Sequence, residues 1–308
     1  MKQFVVGVDV GGTNVKLGIV DASSRISLRA VFSTRKFISS PRCLIKAISQ
    51  NVASLLKEGG ISKKSVCGIG IGLPGLVDVE KGIVRLLPNI PGWKNVPLKK
   101  ILKAKTGLPV QIENDVNMMA LGEWKYGAGQ GYKNLICMTL GTGVGAGLIL
   151  NNEIYRGPGF AAGEIGHAPL NEHGPRCGCG GYACFERYVG NAALQKWAGK
   201  VFHKSNITLE EVFCLAREGN TRALRFWQDV GTKVGTGLIG AINLLNPERI
   251  IIGGGVSSSF QFMAPAIRKV IDARVMQTQA SLVSIIKAKL GDDAGLVGAR
   301  VLISSRKY

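Results

Sequence analysis

Three cysteines, Cys177, Cys179 and Cys184, fall within the stretch HGPRCGCGGYACFERY at 173–188. One residue between Cys177 and Cys179 is too tight for an easy disulfide. No C-x-x-C redox pair and no C-x₂-C…H-x₃-H finger is present. Three thiolates and one imidazole make a closed tetrahedral Zn²⁺ site of the structural kind. Two histidines could supply the fourth ligand, His173 four residues before Cys177 and His167 ten before it. Local spacing leaves both open. The chain has seven cysteines, an odd number, and no secretion signal, which argues against a disulfide framework. Cys43, Cys67, Cys137 and Cys214 stand in apolar surroundings and read as reduced, buried thiols.

A second kind of chemistry lies in the glycines. Residues 5–21 and 134–150 (NLICMTLGTGVGAGLIL) overlay without gaps, so that Gly12 meets Gly141, Thr13 meets Thr142, Val15 meets Val144 and Gly18 meets Gly147. A strand, a Gly-Thr turn and a returning strand thus occur twice, which points to two related halves. Such turns let successive backbone N–H groups close around an anion, with Thr13 and Thr142 adding hydroxyls. Asp9 precedes the first turn, an odd residue for a buried strand and a fitting Mg²⁺ ligand. A third strand runs into Gly253, Gly254 and Gly255. There is no Walker A sequence. The set points to a phosphate chain.

Chemistry at a bound phosphate chain needs a base within hydrogen-bond reach of the attacking group. Asp115, at the end of the strand IENDVN (112–117), suits that role. Its competing use is to cap the helix that follows. Glu113, the rival carboxylate, is left structural.

The elements that must position these groups are of α/β type. A β-hairpin opens the chain. A helix follows at 39–60, with Ser40 able to cap it, Pro41 in its first turn and Gly59-Gly60 at its end. Strands at 65–78 and 108–117 follow. The later half is mostly helical: Thr208 and Glu211 form a capping box, a long helix at 221–247 stops at Asn246-Pro247, and 248–258 is a strand running into glycines. The 308 residues suffice for two domains, and 46% hydrophobic with 19% charged residues describes a globular protein. No apolar run is long enough to span a membrane, and no signal peptide is evident, so the cytoplasm is the expected compartment. The net charge of +19 is spread along the chain. Its densest stretch, PLKKILKAKTG (97–107), reads as a solvated helix face, with no interleaved aromatics for base stacking.

Taken in order, VGVDVGGTN, GIGLPGLVD, IENDVN, LGTGVGAG, GEIGH, CGCGGYACFE, IIGGG and LGDDAGLVGA resemble the ROK-family sugar kinases over nearly the whole chain. The bacterial glucokinase branch is the nearest likeness, LPNIPGWKNVPL resembling its sugar-lobe segment. That resemblance implies an actin/hexokinase-like ATPase fold, ribonuclease H-like, of two α/β domains with a cleft that closes on the sugar. The smaller domain would span 1–117 and the larger 118–308, with the final helix packing back on the first. It implies one phosphate loop at Asp9, Gly11, Gly12, Thr13 and Asn14, where many members carry Lys in place of Asn14. It implies a second at Gly141, Thr142, Gly143 and Gly145, and an adenosine loop at Gly253, Gly254 and Gly255. Asp115 would be the base, and Gly75, Asn89, Asn114, Asp115, Glu164, His167 and Glu186 would meet the sugar. The resemblance chooses His167 over His173 for zinc, its other ring nitrogen facing a sugar hydroxyl or a carboxylate. The implied cofactors are ATP, Mg²⁺ and structural Zn²⁺, and the implied assembly is a homodimer.

The expected reaction is phosphorylation of a hexose, foremost O6 of glucose. N-acetylmannosamine, N-acetylglucosamine, fructose and allose are the alternatives as acceptors, and inorganic polyphosphate is the alternative donor. A sugar-sensing transcriptional regulator is the rival from another class. Family repressors carry a helix-turn-helix ahead of this region, whereas here the first phosphate loop begins at Asp9. They also tend to lose the phosphate motifs or the base. A zinc-dependent nucleic-acid binder would rest on charge and the cysteines alone, and no nucleic-acid or membrane partner is expected.

Overall fold

The computed structural model describes residues 3–37, 40–87, 90 and 92–305. The chain divides into two compact units. The first takes in residues 1–130, 154–162 and 292–308, and the second 131–153 and 163–291.

The first unit is built on a five-stranded sheet in the order β3-β2-β1-β4-β8. Its strands are β1 (Phe4–Val10), β2 (Asn14–Val20), β3 (Ile26–Ser33), β4 (Val66–Leu73) and β8 (Val110–Asn114). β1, β2 and β3 form an antiparallel meander, while β4 and β8 add in parallel. A small second sheet holds β5 (Leu76–Asp78), β6 (Ile83–Leu86) and β7 (Lys94–Val96). The alternation in β1 sorts its side chains. Val6, Val8 and Val10 pack with Leu44, Ile45 and Ile48 of α1 (Pro41–Glu58). Ser40 caps α1 through the Cys43 N–H, and Pro41 opens it. The other face is lined by glycines. An added Cβ on Gly7 would lie 2.7 Å from the Leu296 carbonyl oxygen, and one on Gly70 would lie 2.7 Å from the Ala299 methyl. The C-terminal helix, α10 (Ala294–Ser304), therefore sits directly on the sheet. It also crosses α3 (Asp115–Tyr126) at Gly298 and Gly122. The unit thus runs beyond residue 117 and includes α3, with α2 (Leu98–Thr106) completing its helices.

The second unit repeats the plan. β9 (Leu135–Leu140) and β10 (Val144–Leu150) are antiparallel, and β12 (Arg249–Gly253) and β13 (Ser284–Lys287) add in parallel. The order is β11-β10-β9-β12-β13, the chain passing between the units within β11 (Glu153–Tyr155). Helices α4 (Glu186–Val189), α5 (Asn191–Phe202), α6 (Leu209–Arg217), α7 (Thr221–Leu245), α8 (Phe260–Arg274) and α9 (Gln277–Leu282) complete it. The Thr208–Glu211 capping box is formed, and Asn246 ends α7 in the left-handed region at φ 44°.

Two expectations need correction. The repeat is real in topology but not free of gaps. Val10 pairs with Val15 across the first turn, whereas Leu140 pairs with Val144 across the second. The second turn is one residue shorter, so the overlay holds for the returning strands and slips by one on the incoming ones. Nor are all four scattered cysteines buried: Cys137 is, Cys67 is half-buried, and Cys43 and Cys214 are exposed. Both exposed thiols stand on the outer faces of amphipathic helices, whose inner faces are Leu44-Ile45-Ile48 and Val212-Ala216.

Candidate functional site

In the first unit, β8 delivers three polar residues at its end. Glu113 is buried and bound on both oxygens. Its Oε2 accepts from Arg156 Nε at 2.8 Å and lies 2.6 Å from Arg156 Nη2, while Oε1 accepts from Asn117 Nδ2 and the Asn114 N–H, each at 3.0 Å. A carboxylate so committed is structural. Asn114 is the N-cap of α3, its Oδ1 accepting from the N–H groups of Val116 at 2.9 Å and Asn117 at 3.1 Å. Its Nδ2 donates to the Gly75 carbonyl at 3.2 Å, which brings the GLPG loop to the same spot. Gly75 has φ 97°, a conformation that favours glycine. The capping role considered for Asp115 thus belongs to Asn114. Asp115 is the first residue of α3, and its Oδ1 accepts from the Val116 N–H at 2.9 Å. Asn89 lies outside the described residues.

The first glycine turn closes with the Gly11 N–H donating to the Asn14 carbonyl at 2.9 Å. Thr34 fixes it from behind. This fully buried residue donates its hydroxyl to the Gly11 carbonyl at 2.7 Å, and its N–H to the Thr13 carbonyl at 2.9 Å. Two carbonyls of the turn are thereby held on one side. Asp9, at the end of β1, approaches the first turn of α10: an added Cβ on Gly295 would sit 3.5 Å from its carboxyl carbon. Burial pushes the Asp9 carboxyl above its usual range, Asp292 adds to this, and Lys16 only partly opposes it. A half-buried, desolvated carboxylate that Lys16 only partly offsets fits a hard divalent cation.

In the second unit, GEIGH makes a 3₁₀ turn over Ile165–His167, packed against β10. Its glycines are there for backbone contact. An added Cβ on Gly163 would lie 1.8 Å from the Ala146 carbonyl oxygen, and one on Gly166 would lie 2.1 Å from that of Val144. Glu164 and His167 project from this turn, His167 Nε2 lying 3.8 Å from Glu164 Oε2. The other ring nitrogen, Nδ1, is 3.7 Å from Cys177 Sγ, and Cys179 Sγ is 3.6 Å from Cys184 Sγ. The four ligand atoms of His167, Cys177, Cys179 and Cys184 all lie within 4.8 Å of one another. A tetrahedral Zn²⁺ with Zn–S of about 2.3 Å sets its ligand atoms about 3.6–3.8 Å apart, so the residues fit the ion. A tight turn presents the thiols: the Cys177 N–H donates to the Gly181 carbonyl at 2.9 Å and the Gly180 N–H to the Cys177 carbonyl at 3.1 Å. Burial pushes the Cys184 thiol up to about 12, and its neighbouring thiols push the same way. A cation is what would let three thiolates coexist here. His173 is exposed and outside this group.

The second glycine turn closes with the Gly141 N–H donating to the Gly143 carbonyl at 3.0 Å. Gly145, the next residue but one, lies in β10. Glu186, the first residue of α4, accepts from the Val144 N–H at 2.9 Å through Oε2. Gly253 ends β12 opposite Thr139, and Gly254 (φ 81°) passes so close to β9 that an added Cβ would lie 2.4 Å from the Leu140 carbonyl oxygen. The third glycine, Gly255, starts a 3₁₀ turn. The second unit thus places the GGG turn against Leu140, next to the Thr142 turn.

Sequence reasoning missed Thr34 and Arg156. Thr34 sits in a stretch, FSTRK, with no motif, and Arg156 reaches Glu113 from 43 positions away. Neither pairing leaves a local signal.

The ROK family profile matches residues 5–306. A glucokinase of Streptomyces coelicolor is 34% identical over 318 aligned positions, covering 96% of each chain. A xylose repressor of Caldicellulosiruptor bescii is 29% identical, covering 98% of this chain and 78% of the repressor. Among solved structures, a ROK family glucokinase from Streptomyces griseus in complex with glucose and AMPPNP superposes with a TM-score of 0.83 at 33% identity, covering 97% of this chain and 98% of that one.

Proposed function

The chain belongs to the ROK family, and from that premise we propose that it is a sugar kinase, transferring the γ-phosphoryl group of ATP to a hexose, with O6 of glucose as the preferred acceptor. One observation carries the reading: at the end of β8 Asn114 caps α3 and donates to the Gly75 carbonyl, which sets Asp115, the first residue of α3, beside the GLPG loop where a base would meet a bound hydroxyl.

Asp115 accepts the proton of the attacking hydroxyl as the bond to phosphorus forms and the bond to the β,γ-bridging oxygen breaks. Asn114, Gly75, Asn89, Glu164, His167 and Glu186 are the proposed sugar contacts. The Gly11–Asn14 and Gly141–Gly145 turns cradle the phosphates through those N–H groups that neither close the turn nor bond Glu186, and the Gly253–Gly255 turn receives the adenosine. Asp9 would hold Mg²⁺, directly or through water, which supplies charge neutralisation at the transferred group. His167, Cys177, Cys179 and Cys184 would hold Zn²⁺, a structural ion that takes no part in the chemistry. A cytoplasmic homodimer belongs to the same proposal, supported by the family alone.

The similarity to a xylose repressor supports a second reading, a sugar sensor without turnover. The presence of both phosphate turns together with Asp115 favours the kinase. A coupled ATP-turnover assay across glucose, mannose, fructose, allose, N-acetylmannosamine and N-acetylglucosamine separates the two. Sugar-dependent turnover greatest with glucose is expected; sugar binding without turnover would replace the kinase by the sensor.

A further inference from the structure

The second unit ties the Cys/His cluster to the second phosphate turn by two routes. The first runs through α4. Glu186, two residues after Cys184, accepts from the Val144 N–H at 2.9 Å, and Gly143 leaves the space its carboxylate occupies, since an added Cβ there would lie 2.6 Å from Oε2. Beyond the other end of α4, the Asn191 N–H donates to the Gly141 carbonyl at 2.8 Å, and an added Cβ on Gly190 would lie 3.5 Å from the Thr142 carbonyl oxygen. The turn is thus gripped from both ends of one four-residue helix. The second route runs through His167, whose GEIGH segment lies on β10: Gly166 of its 3₁₀ turn meets the Val144 carbonyl, and Gly163 just before it meets the Ala146 carbonyl and accepts from the Ala146 N–H at 2.8 Å.

We propose that Glu186 is a positioning residue for the nucleotide: through its Oε2 bond to Val144 it sets the second phosphate turn, and the metal cluster, which anchors both α4 and the His167 turn, sets nucleotide affinity by that route. This rests on the kinase reading above, in which Glu186 is otherwise a sugar contact. A carboxylate accepting a main-chain N–H makes a strong charge-assisted bond, and its removal leaves that N–H without its acceptor. A glutamine keeps an acceptor oxygen at the same reach; an alanine does not.

The test is calorimetric titration of AMPPNP with Mg²⁺, in the absence of sugar, into wild type, Glu186→Gln and Glu186→Ala, with a parallel titration of glucose. The three proteins are first matched by circular dichroism and metal content. Glu186→Ala is expected to weaken nucleotide binding about tenfold or more, with substantial recovery in Glu186→Gln. Metal-stripped wild type that remains folded is expected to weaken toward the alanine value, and to recover on adding Zn²⁺. Should Glu186→Ala bind AMPPNP as wild type does while losing glucose, Glu186 is a sugar contact only and the inference fails, with the kinase reading intact. Unchanged nucleotide affinity in the folded metal-free protein overturns the metal route. Wild type that binds neither ligand removes the kinase reading itself.

Discussion

Gly298→Ala offers a severe test of how the candidate base is held. Gly298 lies in α10 where that helix crosses α3, the helix that begins with Asp115. An added Cβ would lie 1.9 Å from the Met118 carbonyl oxygen and 2.8 Å from its carbon. Real Cβ atoms are not found within 3.0 Å of such atoms, so the helices must part or tilt. Both partners are backbone, so no side chain can turn away. Overpacking of this kind costs about 1–3 kcal/mol, here at the upper end, and the better helix propensity of Ala returns about 1 kcal/mol. The net loss is about 2 kcal/mol, a fall in Tm of about 3 °C for 308 residues. Gly240→Ala in α7 is the control: its Cβ meets nothing within 4 Å. The same chemical change should there raise Tm by about 1–2 °C. Scanning calorimetry on both variants reads the two signs. A Gly298→Ala protein as stable as wild type, with unchanged sugar-dependent turnover, would refute the close crossing and its role in fixing Asp115.

Other perturbations follow from the same contacts. Arg156→Ala strands the buried Glu113 and should cost about 3–5 kcal/mol in a denaturant titration, with Arg156→Met/Glu113→Gln recovering most of it. Asp9→Asn should raise the melting temperature of the ligand-free protein at neutral pH while lowering turnover. Burial lifts the Asp9 pKa on folding, so its charge destabilises the folded state above the folded pKa, and the gap between variant and wild type should close as pH falls toward 3.8. A gap independent of pH would contradict this. Elemental analysis should find about one zinc per chain, lost in Cys179→Ser together with thermal stability. Full stability of the metal-free protein would make the cluster a set of idle thiols.

The parts of this molecule that were legible in the sequence are those carried by local pattern. The two strand-turn-strand hairpins, the Thr208–Glu211 box, the Ser40 cap and the Asn246 stop are each set by neighbours a few residues apart. The choice of His167 over His173 could not be made that way, because ten residues separate it from Cys177 and a turn on β10 brings it back. Nothing in GEIGH itself tells that Gly163 and Gly166 approach the carbonyls of Ala146 and Val144, since that contact is set by β10, far along the fold from any local pattern. The slip of one residue between the two glycine turns was hidden for a related reason. Glycine-rich strands tolerate either overlay, and only the cross-strand pairs Val10–Val15 and Leu140–Val144 decide it. Thr34 and Arg156 act at long range through one or two hydrogen bonds and have no pattern to read.

On the proposed function, this chain moves a phosphoryl group from ATP to a hexose with Asp115 as base. Single-turnover transfer of labelled γ-phosphate, with glucose affinity titrated on the same preparations of wild type and Asp115→Asn, tests it most directly. Wild type should form glucose 6-phosphate, and Asp115→Asn should bind glucose yet transfer at least about 10²–10⁴-fold more slowly. Transfer by Asp115→Asn at the wild-type rate, or no sugar phosphate from wild type with any hexose, would contradict the account.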